Sequence, residues 1–428
     1  MSATGNPAAI GGAVDPTAIR IEASSHCQLR CPSCPTTSGA THPAIGGGFL
    51  RARDFARLLE QNPQVREVEL SNYGEIFLNP ELSEILRIGH ERGVTLMAQN
   101  GANLNSIRAG VLEDLVRYRF HSMTCSIDGA TQKTYARYRV RGNLAKVLDN
   151  IRAINEFKRR YGSPFPFLRW QFVVFGHNEH EIPAARRLAT ELKMDFSPKL
   201  TWDDDFSPIR DRDFVRRETG LDAASREEHR RNTGDDYSIG ICAELWTNPQ
   251  FNWDGKLLGC SRNFWGDFGS NAFTDGLRAA VNSERMRHAR AMLTGRAPAR
   301  NDIPCTTCEI YLDMQKRGRW LGASPIPEFE SAEALARAAS CLAVGRLIDA
   351  EEIYLRVLAV QPHEPEALLG MAVLRYGLGW NEAALVFAEA AIAASPGDPR
   401  PRDLLETLAR EAAAEAESAP MALETQTS

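Results

Sequence analysis

Cysteine placement constrains this chain more than any other feature. Of nine cysteines, Cys27, Cys31 and Cys34 fall within eight residues, Cys242 and Cys260 lie far downstream, and Cys305 and Cys308 form a CxxC pair; Cys125 and Cys341 stand alone. An odd, clustered set differs from a disulfide framework, which spaces an even number of cysteines through a small secreted domain. Clustered thiols predict metal or cluster binding in a reducing compartment. Met1 to Asp15 has neither a basic start nor an apolar signal core, so residues 1–16 are expected to be a disordered leader and the protein cytoplasmic. A net charge of −5 gives no basic balance for nucleic acid. No apolar run has the length of a membrane span.

Between Ile19 and about Leu200, strand-like and helix-like runs alternate. Strands are predicted at 19–23, 65–71, 94–98, 122–127, 168–175 and 196–200, with amphipathic helices at 52–61, 80–92, 107–118, 143–160 and 180–193. Such a series predicts a parallel sheet with right-handed crossovers, an open sheet or a barrel, whose chemistry gathers at the carboxyl ends of the strands. Cys27–Cys34, Gly74–Glu75, Asn100–Gly101 and Asp128–Gly129 would then share one rim. Residues 202–240 are charge-rich and weakly periodic, a linker or capping insertion. Residues 241–322 turn aromatic and glycine-rich and hold the last four clustered cysteines. Ser324–Pro327 is a joint. Beyond it Gly345, Ala350, Val357 and Pro362 recur 34 residues later as Gly379, Ala384, Ala391 and Pro396, the period of tetratricopeptide (TPR) helical pairs. An all-α, TPR-like module is expected over 331–414, and a disordered tail over 415–428.

The segment Cys27-Gln-Leu-Arg-Cys31-Pro-Ser-Cys34 follows the first strand. Three thiolates can hold three irons of a 4Fe–4S cube and leave the fourth open to a substrate ligand. A zinc site completed by His26 or His42 is the alternative. The CxxxCxxC spacing resembles the radical S-adenosylmethionine (SAM) superfamily, and so do later segments. Asn72-Tyr73-Gly74-Glu75 resembles its glycine–glutamate motif, with Tyr73 replacing the usual second glycine. Cys125-Ser126-Ile127-Asp128-Gly129 resembles its fourth-strand motif. The resemblance implies a partial (β/α)6 barrel over 17–201. It also implies SAM as cofactor, held by Gly74 and Glu75 at its amino group and by Ser126, Asp128 and Arg139 near its ribose and carboxylate. Asn178, in Phe175-Gly176-His177-Asn178, would approach the adenosine.

Cys242-x12-Gly255-x4-Cys260 resembles the opening of the SPASM module, the auxiliary-cluster domain of many radical SAM enzymes. Asn252-Trp253-Asp254-Gly255-Lys256 predicts a hairpin turn that brings Cys242 and Cys260 together. Met314 stands where a further cysteine would fall, which matches the shortened "twitch" form of the 2-deoxy-scyllo-inosamine dehydrogenase type. The expectation is a small α+β domain with one closed 4Fe–4S cluster on Cys242, Cys260, Cys305 and Cys308; a zinc ribbon is the alternative. Cys125 and Cys341 are expected to be structural. The resemblance implies an enzyme with two 4Fe–4S clusters and SAM. It would abstract hydrogen from a small molecule, such as a sugar or aminocyclitol, or from a peptide, with oxidation or epimerisation as outcome. An external electron donor such as flavodoxin or ferredoxin is implied, and a protein partner for the TPR-like module. His177, Lys199, Trp202 and Asp203–Asp205 are candidate substrate-facing groups. The competing expectation is an Fe–S scaffold or sensor that does not cleave SAM.

Overall fold

The computed structural model describes residues 13–321, 331–361, 363–377 and 381–418. The chain divides into two compact units, Met1–Glu328 and Phe329–Ser428. In the first, six parallel strands lie side by side in chain order: β1 (Ala18–Ile21), β2 (Glu67–Glu69), β3 (Thr95–Ala102), β4 (Ser122–Ser126), β5 (Phe167–Val174) and β6 (Asp195–Leu200). All six coincide with predicted strands, shifted by a few residues at their ends. Beyond β1 the same sheet continues through β7 (Gln250–Phe251), parallel to β1, and β8 (Leu257–Gly259), antiparallel to β7.

Strand alternation explains why the sheet has two different faces. Ile19, Ile21, Val68, Leu96, Met123, Cys125, Trp170 and Phe172 enter one hydrophobic core with the covering helices. The residues between them are largely polar: Arg20, Glu69, Ser122, Thr124, Gln171, Ser197 and Lys199. A parallel sheet covered on both faces carries continuous apolar runs; here the second face is equipped to line a polar chamber. The helix Ala52–Gln61 shows how the covering layer is held. Phe55, Leu58 and Leu59 are all buried, each contributing roughly 2 kcal/mol. The long helix Leu144–Tyr161 starts where the Asn143 side chain accepts the Lys146 N–H, and it stops at Gly162 in the left-handed region at φ 56°.

Two helices were not legible as such. Residues 202–240 contain Arg212–Thr219 and Arg226–Thr233. These have no apolar stripe, since each buries a single residue, Val215 and Glu228 respectively. Glu228 is gripped instead by Arg212 (3.4 Å) and Arg216. The predicted divisions near 202 and 241 leave no break in the packing: Val14 and Met314 belong to one core. Cys125 is buried in that core.

The second unit is helical: Ser331–Ala343, Leu347–Val360, Pro365–Gly377, Asn381–Ala394 and Arg400–Ser418, each packed on the next. First helices start at Ser331 and Pro365, and second helices at Leu347 and Asn381, the same 34-residue interval as the sequence repeat. Ala338, Ala350, Tyr354 and Met371 form its core, against which Cys341 packs. Residues 1–12, the joint at 324–327, Pro362, Gly379 and the end of the tail lie outside the described residues. No helix among the described residues is long and apolar enough to cross a membrane.

Candidate functional site

The loop after β1 carries Cys27, Cys31 and Cys34 to the carboxyl rim of the sheet, where the loops after β2, β3 and β4 meet it. Gly74 lies against the start of the cysteine loop. A Cβ built there would sit 1.8 Å from the Ser24 carbonyl oxygen, so only glycine permits this approach. The Glu75 N–H donates to the His26 carbonyl (2.7 Å). The Arg30 N–H donates to the Val140 carbonyl (3.1 Å) and fixes the loop's far side. Cys31 packs with Leu29, Tyr138, Val173 and Phe175, and Cys27, Cys34 and Phe206 join the same apolar cluster.

The predicted side chains meet around these thiols. Asp128 is fully buried; it accepts the Val173 N–H (2.8 Å) on one oxygen and Arg139 Nε (2.6 Å) on the other. Arg139 then directs Nη1 to the Cys31 sulfur at 3.8 Å. Asp128 and Arg139 therefore act as a pair: the carboxylate aims the guanidinium. Glu75 is also buried, and its oxygens are taken by the Asn103 N–H (2.6 Å) and the Phe77 N–H (3.4 Å). Burial pushes its pKa up to about 7. Asn103 returns its own Nδ2 to the Cys27 sulfur at 3.6 Å, a contact no sequence signal announced. Ser126 ends β4 facing Gly101, whose Cβ position would lie 2.5 Å from Ser126 Oγ at φ 121°. Asn178 has its side chain engaged: its oxygen accepts the Phe175 N–H (2.7 Å), and Nδ2 donates to the Val173 and Asp128 carbonyls (2.9 and 3.1 Å).

His177 sits at this rim with both ring nitrogens buried and without a hydrogen-bond partner. It stacks on Phe175 (5.3 Å between centroids) and meets the edge of Phe206 (5.8 Å). Burial pushes its pKa down to about 4, leaving a neutral imidazole. Lys199, on the polar face of β6, is pushed down to about 8 by burial and then by Arg226 and Arg169. Asp203 is occupied by its own turn, accepting the Asp205 and Phe206 N–H groups (3.2 and 3.1 Å) and Ser33 Oγ.

The second cysteine set is assembled from three separate segments, Cys305 and Cys308 sharing one turn. Cys242 lies in the turn Ile239–Ala243, Cys260 follows β8, Cys305 lies in Pro304–Thr307, and Cys308 precedes the helix Glu309–Arg317. The predicted hairpin turn forms, with Asn252 N–H to the Lys256 carbonyl (2.8 Å) and Gly255 at φ 85°. All four cysteines line one pocket with Leu258, Trp265, Phe268, Leu293 and Tyr311. Burial, then the charge of Glu244, pushes the Cys260 thiol up to about 12. Burial and the neighbouring cysteines raise Cys242 and Cys305 as well.

Thiols of this kind do not ionise together unless positive charge arrives with them, and a soft metal centre supplies it. The His26 ring packs on Phe49 (4.9 Å). A cube distributes its ligands over separate irons, and two all-sulfur donor sets fit it. Beside the first set, the guanidinium of Arg139 and the unpartnered nitrogens of His177 suit a ligand with a carboxylate and a heteroaromatic edge.

The fold is similar to that of Streptococcus suis SuiB bound to S-adenosylmethionine, with a TM-score of 0.51 at 17% identity over 70% of this chain and 72% of SuiB. SuiB bound to its precursor peptide SuiA gives a TM-score of 0.47 at 15% identity, over 69% of this chain and 70% of the other. BtrN in complex with AdoMet and 2-DOIA gives 0.40 at 14%, over 69% and 93%. No family model matches the chain, and no curated protein matches it.

Proposed function

We propose that this protein is a radical SAM enzyme, with SAM bound at a 4Fe–4S cluster on Cys27, Cys31 and Cys34 and an auxiliary 4Fe–4S cluster on Cys242, Cys260, Cys305 and Cys308. The observation that carries the reading is the Asp128–Arg139–Cys31 chain. It aims a half-buried cation at a thiol set that has three members rather than four. Cys27, Cys31 and Cys34 would hold the cluster, which when bound would supply the one-electron reduction that splits SAM and so allows hydrogen abstraction from a substrate carbon.

The chain's own residues then have distinct tasks. Arg139 neutralises the SAM carboxylate and is itself oriented by Asp128. Gly74 permits the close approach of the β2 loop, and Glu75 braces it through Asn103. Ser126 stands near the ribose, and His177, with Asn178 holding its loop, meets the adenine edge. The polar sheet face with Lys199 receives a small-molecule substrate, such as a sugar or aminocyclitol, or a peptide. The auxiliary cluster supports net oxidation as outcome, with epimerisation as the second outcome; flavodoxin or ferredoxin supplies electrons. The helical unit is a TPR-like module for a protein partner, a reading supported by its exposed Val344 and Val386.

SAM binding at an open iron changes that iron's coordination. The expected result is a shift in the electron paramagnetic resonance (EPR) signal of the reduced, anaerobically reconstituted protein when SAM is added. The shift should be absent in Cys31→Ala. An unchanged signal with SAM shown to bind contradicts the proposal.

A further inference from the structure

The strand register gathers a polar patch beside the first cysteine set. Register partners in a parallel pair point to the same face, and so do residues two apart on one strand. Ser126 pairs with Gln171, and Gln171 with Ser197; one step along the strands, Val173 pairs with Lys199. All lie on the face opposite Trp170 and Phe172, which enter the hydrophobic core. Val173 packs with Cys31. Gln171, Ser197 and Lys199 therefore sit together next to the three thiols, with Ser126 at the edge of the patch.

These side chains are placed for bonding and do none. Gln171, Ser197 and Lys199 are each half-buried. Among the described residues, no hydrogen bond or ion pair engages their side chains. Polar groups taken out of water ordinarily find partners, and a charge needs one most. Asp128 does not serve Lys199, because its two oxygens are spent on the Val173 N–H (2.8 Å) and Arg139 Nε (2.6 Å). The lowered pKa of Lys199 reports the same imbalance: after burial, its main causes are the positive Arg226 and Arg169. An amide, a hydroxyl and an ammonium thus share one patch, and its fixed charge is positive.

We infer that this patch is an oxyanion subsite: Lys199 holds a carboxylate or phosphate group of the substrate, and Gln171 and Ser197 donate hydrogen bonds to it. Charge-assisted bonds of this kind are short and strong. Calling the bound molecule a substrate rests on the proposed function, and the subsite narrows its class. An acidic small molecule, such as a sugar acid or a sugar phosphate, brings the charge that Lys199 lacks. An aminocyclitol would bring a second ammonium against it.

The test is isothermal titration calorimetry on the full-length protein, cluster-free and again reconstituted with SAM, at matched ionic strength in chloride. The probes are inorganic phosphate and acetate, with acetamide and methylammonium as neutral and cationic counterparts. One or both anions should bind, which tells a phosphate subsite from a carboxylate one, and the counterparts should not. Lys199→Met should weaken anion binding at least about tenfold, the size of a hydrogen bond to a charged group, and Gln171→Leu about threefold. Lys199→Arg should restore it to within about threefold of wild type. Lys199→Met also removes an unpaired charge, so its denaturant midpoint should equal or exceed that of the wild type. No anion binding in either preparation, equal binding by wild type and Lys199→Met, or a lowered midpoint in that variant overturns the inference. None of these readouts uses SAM cleavage. Anion binding through Lys199 in a chain that takes up no iron sinks the proposed function and leaves the oxyanion site standing.

Discussion

Cys27, Cys31 and Cys34 share one loop, whereas Cys242, Cys260 and the Cys305–Cys308 pair arrive on three segments separated by up to 44 residues. The surroundings differ as much as the assembly. Polar groups reach the first set, Arg139 at Cys31 and Asn103 at Cys27, and His177 waits nearby with unpartnered nitrogens. The second set is walled mainly by Leu258, Trp265, Phe268, Leu293, Ile310 and Tyr311. On the proposed function, a cluster on the three-thiol set would receive a ligand, and one on the four-thiol set, in its apolar wall, would exchange electrons.

The largest effects should break this comparison outright. Cys31→Ala should abolish SAM cleavage and lower iron from about eight to about four per chain. Cys305→Ala should lose the same amount of iron while SAM cleavage stays within about threefold of wild type. Iron analysis and 5′-deoxyadenosine chromatography on the two variants check this, and equal loss of cleavage in both would merge the two sites functionally.

Next in size is the polar prop of the first site. Arg139→Gln leaves Asp128 buried without its cation and should cost about 4 kcal/mol of stability in the cluster-free chain, read by denaturant titration. It should also weaken SAM binding and leave auxiliary iron in place. Gly74→Ala should cost about 3 kcal/mol by driving a methyl group into the Ser24 carbonyl, read by denaturant titration.

A smaller effect, on the order of 2–3 kcal/mol per group, concerns pH. Burial raises Glu22 and Glu75 from the ordinary 4.5 to about 7. Between these values the folded chain holds protons the unfolded chain has released. The cluster-free protein should therefore lose stability as pH rises through this window and level off above it. Glu22→Gln should flatten that slope in denaturant titrations at successive pH values; an unchanged slope would remove Glu22 from the account.

The strands were legible because each β-strand alternates or runs apolar for several residues, and the glycines and acids at their ends marked the rim. The first cysteine loop was legible because its chemistry is local. Features held together through space leave no such local pattern. Asp128 and Arg139 look like separate contacts in the sequence, yet they pair across an intervening helix, Gln132–Tyr138, too short to show a period. Asn103 carries no signal distinguishing it from any polar residue after a strand. The helices within 202–240 are stabilised by arginine–glutamate pairs, which hydrophobic patterning cannot register. The hairpin at Gly255 was visible from its turn residues, but the joining of β7 to β1 was not, because sheet neighbours separated by 230 residues leave no local trace.

The most direct measurement is SAM turnover by the full-length protein, reconstituted anaerobically with iron and sulfide and reduced with dithionite. The account predicts 5′-deoxyadenosine and methionine from wild type, none from Cys31→Ala, and about eight irons per chain. Absence of cleavage in a reduced, iron-loaded protein that binds SAM would contradict it.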